Sequence, residues 1–299
     1  MELPGIGTPA LRLLRNARRV GLVFSGGSSR CAFQIGVVEV LLELGVRPAV
    51  CVGVSGGSWN AAAVAVGHAH RLRSYWRAFS RMPGVDLRNL LREHSPYRWN
   101  ELHRRTFGQY VGAENLRRPE TLPVFVGVTR LSDGQAVYID LRSSADPLNV
   151  LLASNYLPPF YTHAPRIEGE RCGDGGLSNN IPYEEAFAEG CDAAVLVTMK
   201  GESEGLPHRN PLEIDHAIPP EYRDRLVVIR PRHPLPIHFL ERRWPVLLET
   251  IELGRLRADE VLLGEFHPET EARPDAVSTR AARLLLSSWR PLLGPRLRG

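Results

Sequence analysis

Cysteine is scarce and falls in no metal-binding pattern. Cys31, Cys51, Cys172 and Cys191 are the only four in 299 residues, and no C-x-x-C spacing joins them. That excludes a zinc or iron–sulfur centre of ordinary spacing and a disulfide framework, so the four read as reduced, buried residues. Lysine is scarcer still: Lys200 stands alone, and arginine carries nearly all the positive charge. No apolar run approaches the roughly 18 residues of a spanning helix. Met1–Val20 has arginines but no apolar stretch long enough for a signal peptide, and no N-x-S/T acceptor occurs. These absences point to a cytoplasmic protein, with any membrane association peripheral. Internal repeats and low-complexity tracts are also missing.

What is present suffices for a sizeable core, since 43% of the residues are hydrophobic. The net charge of +4 is unevenly spread. Residues 1–19 hold four arginines against one acid, residues 70–118 eleven against four, and residues 278–299 five against none, which leaves the rest acidic. Basic flanks around an acidic middle suit an anionic surface, membrane or nucleic acid, or simply a solvated arginine face. No helix-turn-helix, zinc or aromatic-strand signature supports nucleic acid, so no nucleic-acid partner is expected.

Along the chain, Val20–Phe24 and Val50–Val54 read as short buried strands. Helices follow each, from about Cys31 to Leu44 and from Gly56 to Val66. Strand–helix–strand–helix predicts an α/β fold with a mostly parallel central sheet covered by helices. Residues 68–118 interrupt the pattern as a helical insertion or cap, in which Leu72, Tyr75, Trp76 and Phe79 form an apolar stripe opposite an arginine-rich face. Val124–Thr129 and Gln135–Leu141 flank Asp133-Gly134 as a hairpin. Leu151–Ser154 suits a short helix, and Arg166–Cys172 an extended segment. Pro182 suits the first turn of a helix ending before Gly190. Ala193–Met199 and Leu226–Arg230 complete the strands, residues 201–222 form a polar loop, and Phe239–Phe266 is helical.

Three glycine-rich junctions stand out. Gly53-Val54-Ser55-Gly56-Gly57 sets a serine on a strand–turn–helix joint, where the hydroxyl is held exposed and the glycines allow close backbone approach. By chance, a G-x-S-x-G should occur only about 0.1 times in a chain this long. Gly26-Gly27-Ser28 also lies between strand and helix, where free N–H groups favour an anion. It matches neither G-x-G-x-x-G nor G-x-x-x-x-G-K-[ST], which argues against a nucleotide loop. Asp174-Gly175-Gly176 by itself is ordinary turn chemistry.

Taken together, Ser25-Gly26-Gly27-Ser28-Ser29-Arg30-Cys31 with Phe33-Gln34-Ile35-Gly36, the segment around Ser55, and Asp174-Gly175-Gly176-Leu177-Ser178-Asn179-Asn180-Ile181-Pro182 resemble the patatin-like phospholipase family, whose catalytic core is shared with the cytosolic phospholipases A2. Ala153-Ser154 near Pro158 is similar to a further landmark. The resemblance covers roughly residues 18–265 and implies a three-layer fold, with residues 266–299 left as a basic amphipathic tail. It implies a Ser–Asp dyad, with Ser55 as nucleophile and Asp174 as the base that takes its proton and later activates water. The amides of Gly26, Gly27 and Ser28 would form the oxyanion hole, supported by Arg30, Gly53, Gly56, Gly57, Gly175 and Gly176. No cofactor or metal is implied. Burial would have to raise the Asp174 pKa for it to serve as base.

Two positions depart from the family pattern: Ser28 stands where the family has a glycine, and so does Cys31. If position 28 is left-handed, serine there costs about 1–2 kcal/mol. The implied activity is hydrolysis of a fatty-acyl ester of a phospholipid, lysophospholipid or neutral lipid through an acyl-Ser55 intermediate. The partners would be a lipid substrate and, transiently, an anionic membrane surface, approached by the Trp76 stripe and a tail helix over Thr279–Trp289. The rival readings are a lipid-binding pseudoenzyme and a classical triad using one of His208, His216, His233, His238 or His267.

Overall fold

The computed structural model describes residues 7–88, 96–158, 164–202 and 218–271. Helix α1 (Pro9–Asn16) leads into β1 (Val20–Phe24), α2 (Ala32–Glu43), β2 (Pro48–Val54) and α3 (Gly56–Ala65). The insertion follows as α4 (Leu72–Arg81), α5 (Trp99–Thr106), a π-type turn over Phe107–Val111, and α6 (Ala113–Leu116). Then come β3 (Val124–Arg130), β4 (Ala136–Asp140), α7 (Pro147–Ser154), β5 (Arg166–Ile167), β6 (Glu170–Asp174) and α8 (Tyr183–Ala188). The chain continues as β7 (Ala193–Val197), α9 (Pro220–Arg223), β8 (Leu226–Ile229) and α10 (Trp244–Leu263).

The strands form one mixed sheet in the order β5-β6-β3-β2-β1-β7-β8, with β4 also on β3. The run from β3 to β8 is parallel throughout, whereas β4 and β6 pair antiparallel to β3. Every residue of β1 and β7 is buried, as expected of parallel strands covered on both faces. Their side chains alternate between two cores. Leu22, Phe24, Val195 and Val197 face α2 and α10, while Val23, Val52 and Leu196 meet Ile181, Tyr183 and Ala186 around α8. The result is the expected three-layer α/β architecture.

Two contacts fix the layer that carries the site. α2 and α10 cross at Gly36 and Gly254. A Cβ at Gly36 would lie 2.0 Å from the Ile251 carbonyl oxygen, and one at Gly254 would lie 2.0 Å from the Phe33 carbonyl oxygen. α1 belongs to the same body ahead of residue 18: Leu11 and Leu14 are buried, and Thr8 Oγ1 donates to the Val261 carbonyl at 2.7 Å.

Several expectations shift. The last helix starts at Trp244 rather than Phe239, because Pro245 takes the first turn after a non-helical approach. Pro182 is the residue before α8 rather than inside its first turn. Arg166–Cys172 turns back on itself at Glu168-Gly169, both at positive φ, as a small hairpin. The tail beyond Glu271 and most of the 201–222 loop lie outside the described residues. Among the described residues, no helix is long and apolar enough to cross a membrane.

Candidate active site

Ser55 sits where β2 ends and α3 begins, at φ 50° and ψ −134°. This is a strained conformation for a residue with a Cβ, typically costing about 1–3 kcal/mol. The neighbouring glycines let strand and helix touch. A Cβ at Gly53 would lie 2.8 Å from the Gly57 carbonyl oxygen, and one at Gly57 would lie 2.5 Å from that of Ser25. Ser154, at the end of α7, braces the turn. Its hydroxyl accepts from the Ser55 N–H at 2.9 Å and donates to the Gly127 carbonyl at 2.7 Å.

Asp174 reaches Ser55 through the sheet. β2 pairs with the first half of β3 and β6 with its end, both opposite the edge occupied by β4. Val54 pairs with Gly127 and Asp174 with Val128. Two strands of opposite direction therefore meet end to end along one edge of β3, and their last residues become neighbours. Gly175 permits this, since a Cβ there would fall 2.1 Å from the Gly127 carbonyl oxygen. Asp174 is held by its own carbonyl, which accepts from Thr129 Oγ1 at 2.7 Å, and by Oδ1, which accepts from the Gly176 N–H at 2.8 Å. Oδ2 is buried without a hydrogen-bond partner. The Ser55 hydroxyl lies close enough to favour the charged form without an ordinary hydrogen bond to it. Burial outweighs both stabilising contacts and raises the carboxyl pKa to about 7. At neutral pH such a group can accept a proton from a hydroxyl and return it.

The loop between β1 and α2 faces the same point. Gly26 abuts Ser55, for a Cβ on it would stand 2.9 Å from Ser55 Cβ. Its N–H, however, donates to Asn180 Oδ1 at 3.0 Å. This corrects the expected set of three oxyanion donors: Asn180 ties the loop to the turn after Asp174 and occupies the first amide. Among the described residues no such hydrogen bond is donated by the amides of Gly27 and Ser28, and the first turn of α3 begins at Gly56 beside Ser28. Ser28 has φ 51°, so the left-handed conformation is required there.

A buried network holds the loop from behind. Gln34 Nε2 donates to the Ser25 carbonyl (2.8 Å), Asn60 Nδ2 to the Cys31 carbonyl (3.0 Å) and to Gln34 Oε1 (2.8 Å), and Trp76 Nε1 to Asn60 Oδ1 (3.0 Å). Arg30 lies over the Phe239 ring at 5.9 Å, and the Ser29 N–H donates to the Phe239 carbonyl. Cys31 is fully buried and its thiol is pushed far up in pKa by desolvation, which leaves it inert.

A narrow cavity of ≈ 60 Å³ opens on Ser55 and Ser28. Its walls are aromatic: Trp59, Tyr75, Trp76, Phe79, Trp99 and His103. The stripe of α4 thus faces inward, with Leu72, Tyr75, Trp76 and Phe79 all buried, instead of outward to a membrane as its spacing suggested. His103, which no sequence pattern marked, stacks on Trp59 (4.5 Å, 6°). Burial lowers its pKa to about 3, so it is neutral at any working pH. His233 pairs with Glu271, and none of His233, His238 or His267 lines the cavity. His208 and His216 lie outside the described residues.

Comparison with known proteins places these features in a context. Residues 22–187 match the model of a family described as patatin-like phospholipase. Over 64 residues the chain is 38% identical to human 1-acylglycerol-3-phosphate O-acyltransferase PNPLA3, a stretch covering 20% of this chain and 13% of that protein's length. Among solved structures it is similar to VipD from Legionella pneumophila, with 13% identity and a TM-score of 0.48 over 92% of this chain and 75% of VipD. It is also similar to the type III effector protein ExoU, with 14% identity and a TM-score of 0.43 over 81% of this chain and 52% of ExoU.

Proposed function

This chain belongs to the patatin-like phospholipase family, and from that premise we propose that it is a serine lipid acyl hydrolase working through a Ser55–Asp174 dyad. Asp174 takes the Ser55 proton as the hydroxyl attacks the acyl carbonyl. The amides of Gly27 and Ser28, with the start of α3, stabilise the oxyanion. Asp174 returns the proton to the departing alcohol, then deprotonates the water that releases the fatty acid. The observation that carries this reading is the buried carboxyl of Asp174, raised to about 7 beside Ser55 and left with one oxygen unpartnered. The aromatic cavity supports an acyl chain as the group beside the reacting carbonyl. The substrate is the fatty-acyl ester of a phospholipid, lysophospholipid or neutral lipid.

Hydrolysis of p-nitrophenyl esters of graded chain length and of a phospholipid panel tests the proposal. Ser55→Ala and Asp174→Asn should each lower kcat/KM by at least about 100-fold, the contribution of a positioned base or nucleophile. A correctly folded wild type with no turnover on any acyl ester would point instead to a lipid-binding protein.

A further inference from the structure

A second cavity, of ≈ 400 Å³ against ≈ 60 Å³ at Ser55, lies where the loop after β8 passes over α10. Its floor is apolar: Pro231, Leu235, Leu253 and Leu256, with Phe33 of α2. The loop is pinned at both ends. Arg257 Nε donates to the Arg230 carbonyl at 2.9 Å, and Leu235 and Ile237 are buried. Between these points Pro231, Pro234 and Pro236 restrict the backbone, which keeps the loop from collapsing onto the helix. Apolar surface held open in this way is unfavourable in water unless something covers it.

The charges around the cavity are unequally matched. Arg232 pairs with Glu260 and Glu271 (3.2 and 3.3 Å), Arg257 with Glu202 and Glu260, and Glu252 with Arg73 (2.7 Å). Glu249 and Glu269 also line the cavity and are exposed, and neither has an ion-pair or hydrogen-bond partner among the described residues. Both lining arginines are thus neutralised, and two carboxylates are left over. An apolar floor beside two free carboxylates fits a chain that is both apolar and basic.

Two stretches of this chain leave the described body beside the cavity. Thr270 forms part of its lining, and the described residues stop at Glu271. On the other side, the Glu202 N–H donates to the Pro231 carbonyl at 2.9 Å, immediately before residues 203–217. Those residues hold three acids and one arginine, so the free carboxylates disfavour them. Residues 272–299 hold six arginines, six leucines and Trp289 against the single acid Asp275, and so match both the floor and the charge. The link from Glu271 to Leu284 can span up to about 40 Å, ample for a cavity that it leaves at the edge.

We infer that the basic segment after Glu271 docks in this cavity, with its leucines and Trp289 on the apolar floor and its arginines on Glu249 and Glu269. Covalent attachment gives it a local concentration on the order of 1 mM there. A contact of only millimolar strength therefore keeps the cavity about half occupied. The leucines and Trp289 then lie on protein, not on the membrane surface that the composition of the segment suggested. The inference is independent of the chemistry at Ser55.

In the test, full-length protein with the photo-cross-linker p-benzoylphenylalanine in place of Trp289 is irradiated, and the joined peptides are mapped by mass spectrometry. The label should join, within one chain, to residues 231–236 or 249–257. Glu249→Arg with Glu269→Arg should cut that yield at least about threefold. Arg283→Glu with Arg290→Glu, which leaves the described body untouched, should do the same, and all four changes together should restore it. Thermal unfolding reports whether the first pair still folds; if it does not, the second pair decides alone. A cross-link elsewhere, no cross-link at all, or a yield indifferent to these charges overturns the inference. Joining between two chains also overturns it, and makes the occupant a second copy.

Discussion

Ser28 and Ser55 both hold positive φ, but for different reasons. At Ser55 the strain aims a hydroxyl. In the proposed mechanism Ser28 contributes only its backbone amide, so the side chain adds steric cost for no chemical return. Ser28→Gly should therefore stabilise the protein by up to about 1 kcal/mol, the left-handed penalty of roughly 1–2 kcal/mol less the added unfolded-state entropy of glycine. Ester hydrolysis should be retained, and urea unfolding checks the first part. For Asp174 the sign follows from its raised pKa. The folded state holds the proton more tightly than the unfolded chain, so stability falls as pH rises from the ordinary carboxyl range through about 7. Activity should do the opposite, with kcat/KM rising through a limb near pH 7 that is absent in Asp174→Asn. That variant should also unfold at higher denaturant than wild type at pH 8 and lose the advantage at pH 4. The elbow and the Asp-Gly-Gly turn were readable from sequence because turn chemistry is local. Ser154, Asn180 and His103 were not assigned roles, because their parts depend on which strand or ring they meet, and nothing in a neighbouring residue encodes that.

Among the elements, α2 matters most, since its first turn anchors the Ser25–Cys31 loop. Its apolar residues and length were readable from spacing. Its partner was not, because the helix is buried almost all round and no single stripe marks the face toward α10. The glycine contact settles that face. Gly36→Ala or Gly254→Ala would press a methyl into backbone at 2.0 Å, so each should destabilise by at least about 1–3 kcal/mol. Activity should fall as well, because a shifted α2 moves the Ser28 amide. Thermal unfolding and ester hydrolysis measured together test the link. α4 teaches the converse. Its stripe was plain in the sequence, but a stripe only says that one face is covered, not by what. Here α3 and α5 cover it, with Trp76 donating to Asn60 and Phe79 stacked on Trp99, while on the opposite face Arg73 pairs with Glu39 and Glu252 and Arg77 lies over the Trp244 ring.

Over the whole molecule, the alternation of strand and helix was enough to anticipate a parallel sheet between helical layers. The antiparallel arm of β5 and β6 was not anticipated, since a two-residue strand carries almost no pattern and its pairing depends on a distant edge. Yet this arm delivers Asp174 to Ser55. The two residues come from strands far apart in the chain, and β3 lies between them in sequence and beside both in space. Until β3 has paired with β2 and with β6, neither side chain has a fixed neighbour. A folding chain therefore passes through no half-formed species with a fraction of the final activity. Chemical competence should emerge in a single late step, when the last long-range pairing closes, so a newly made copy holds no partly assembled dyad until its architecture is finished.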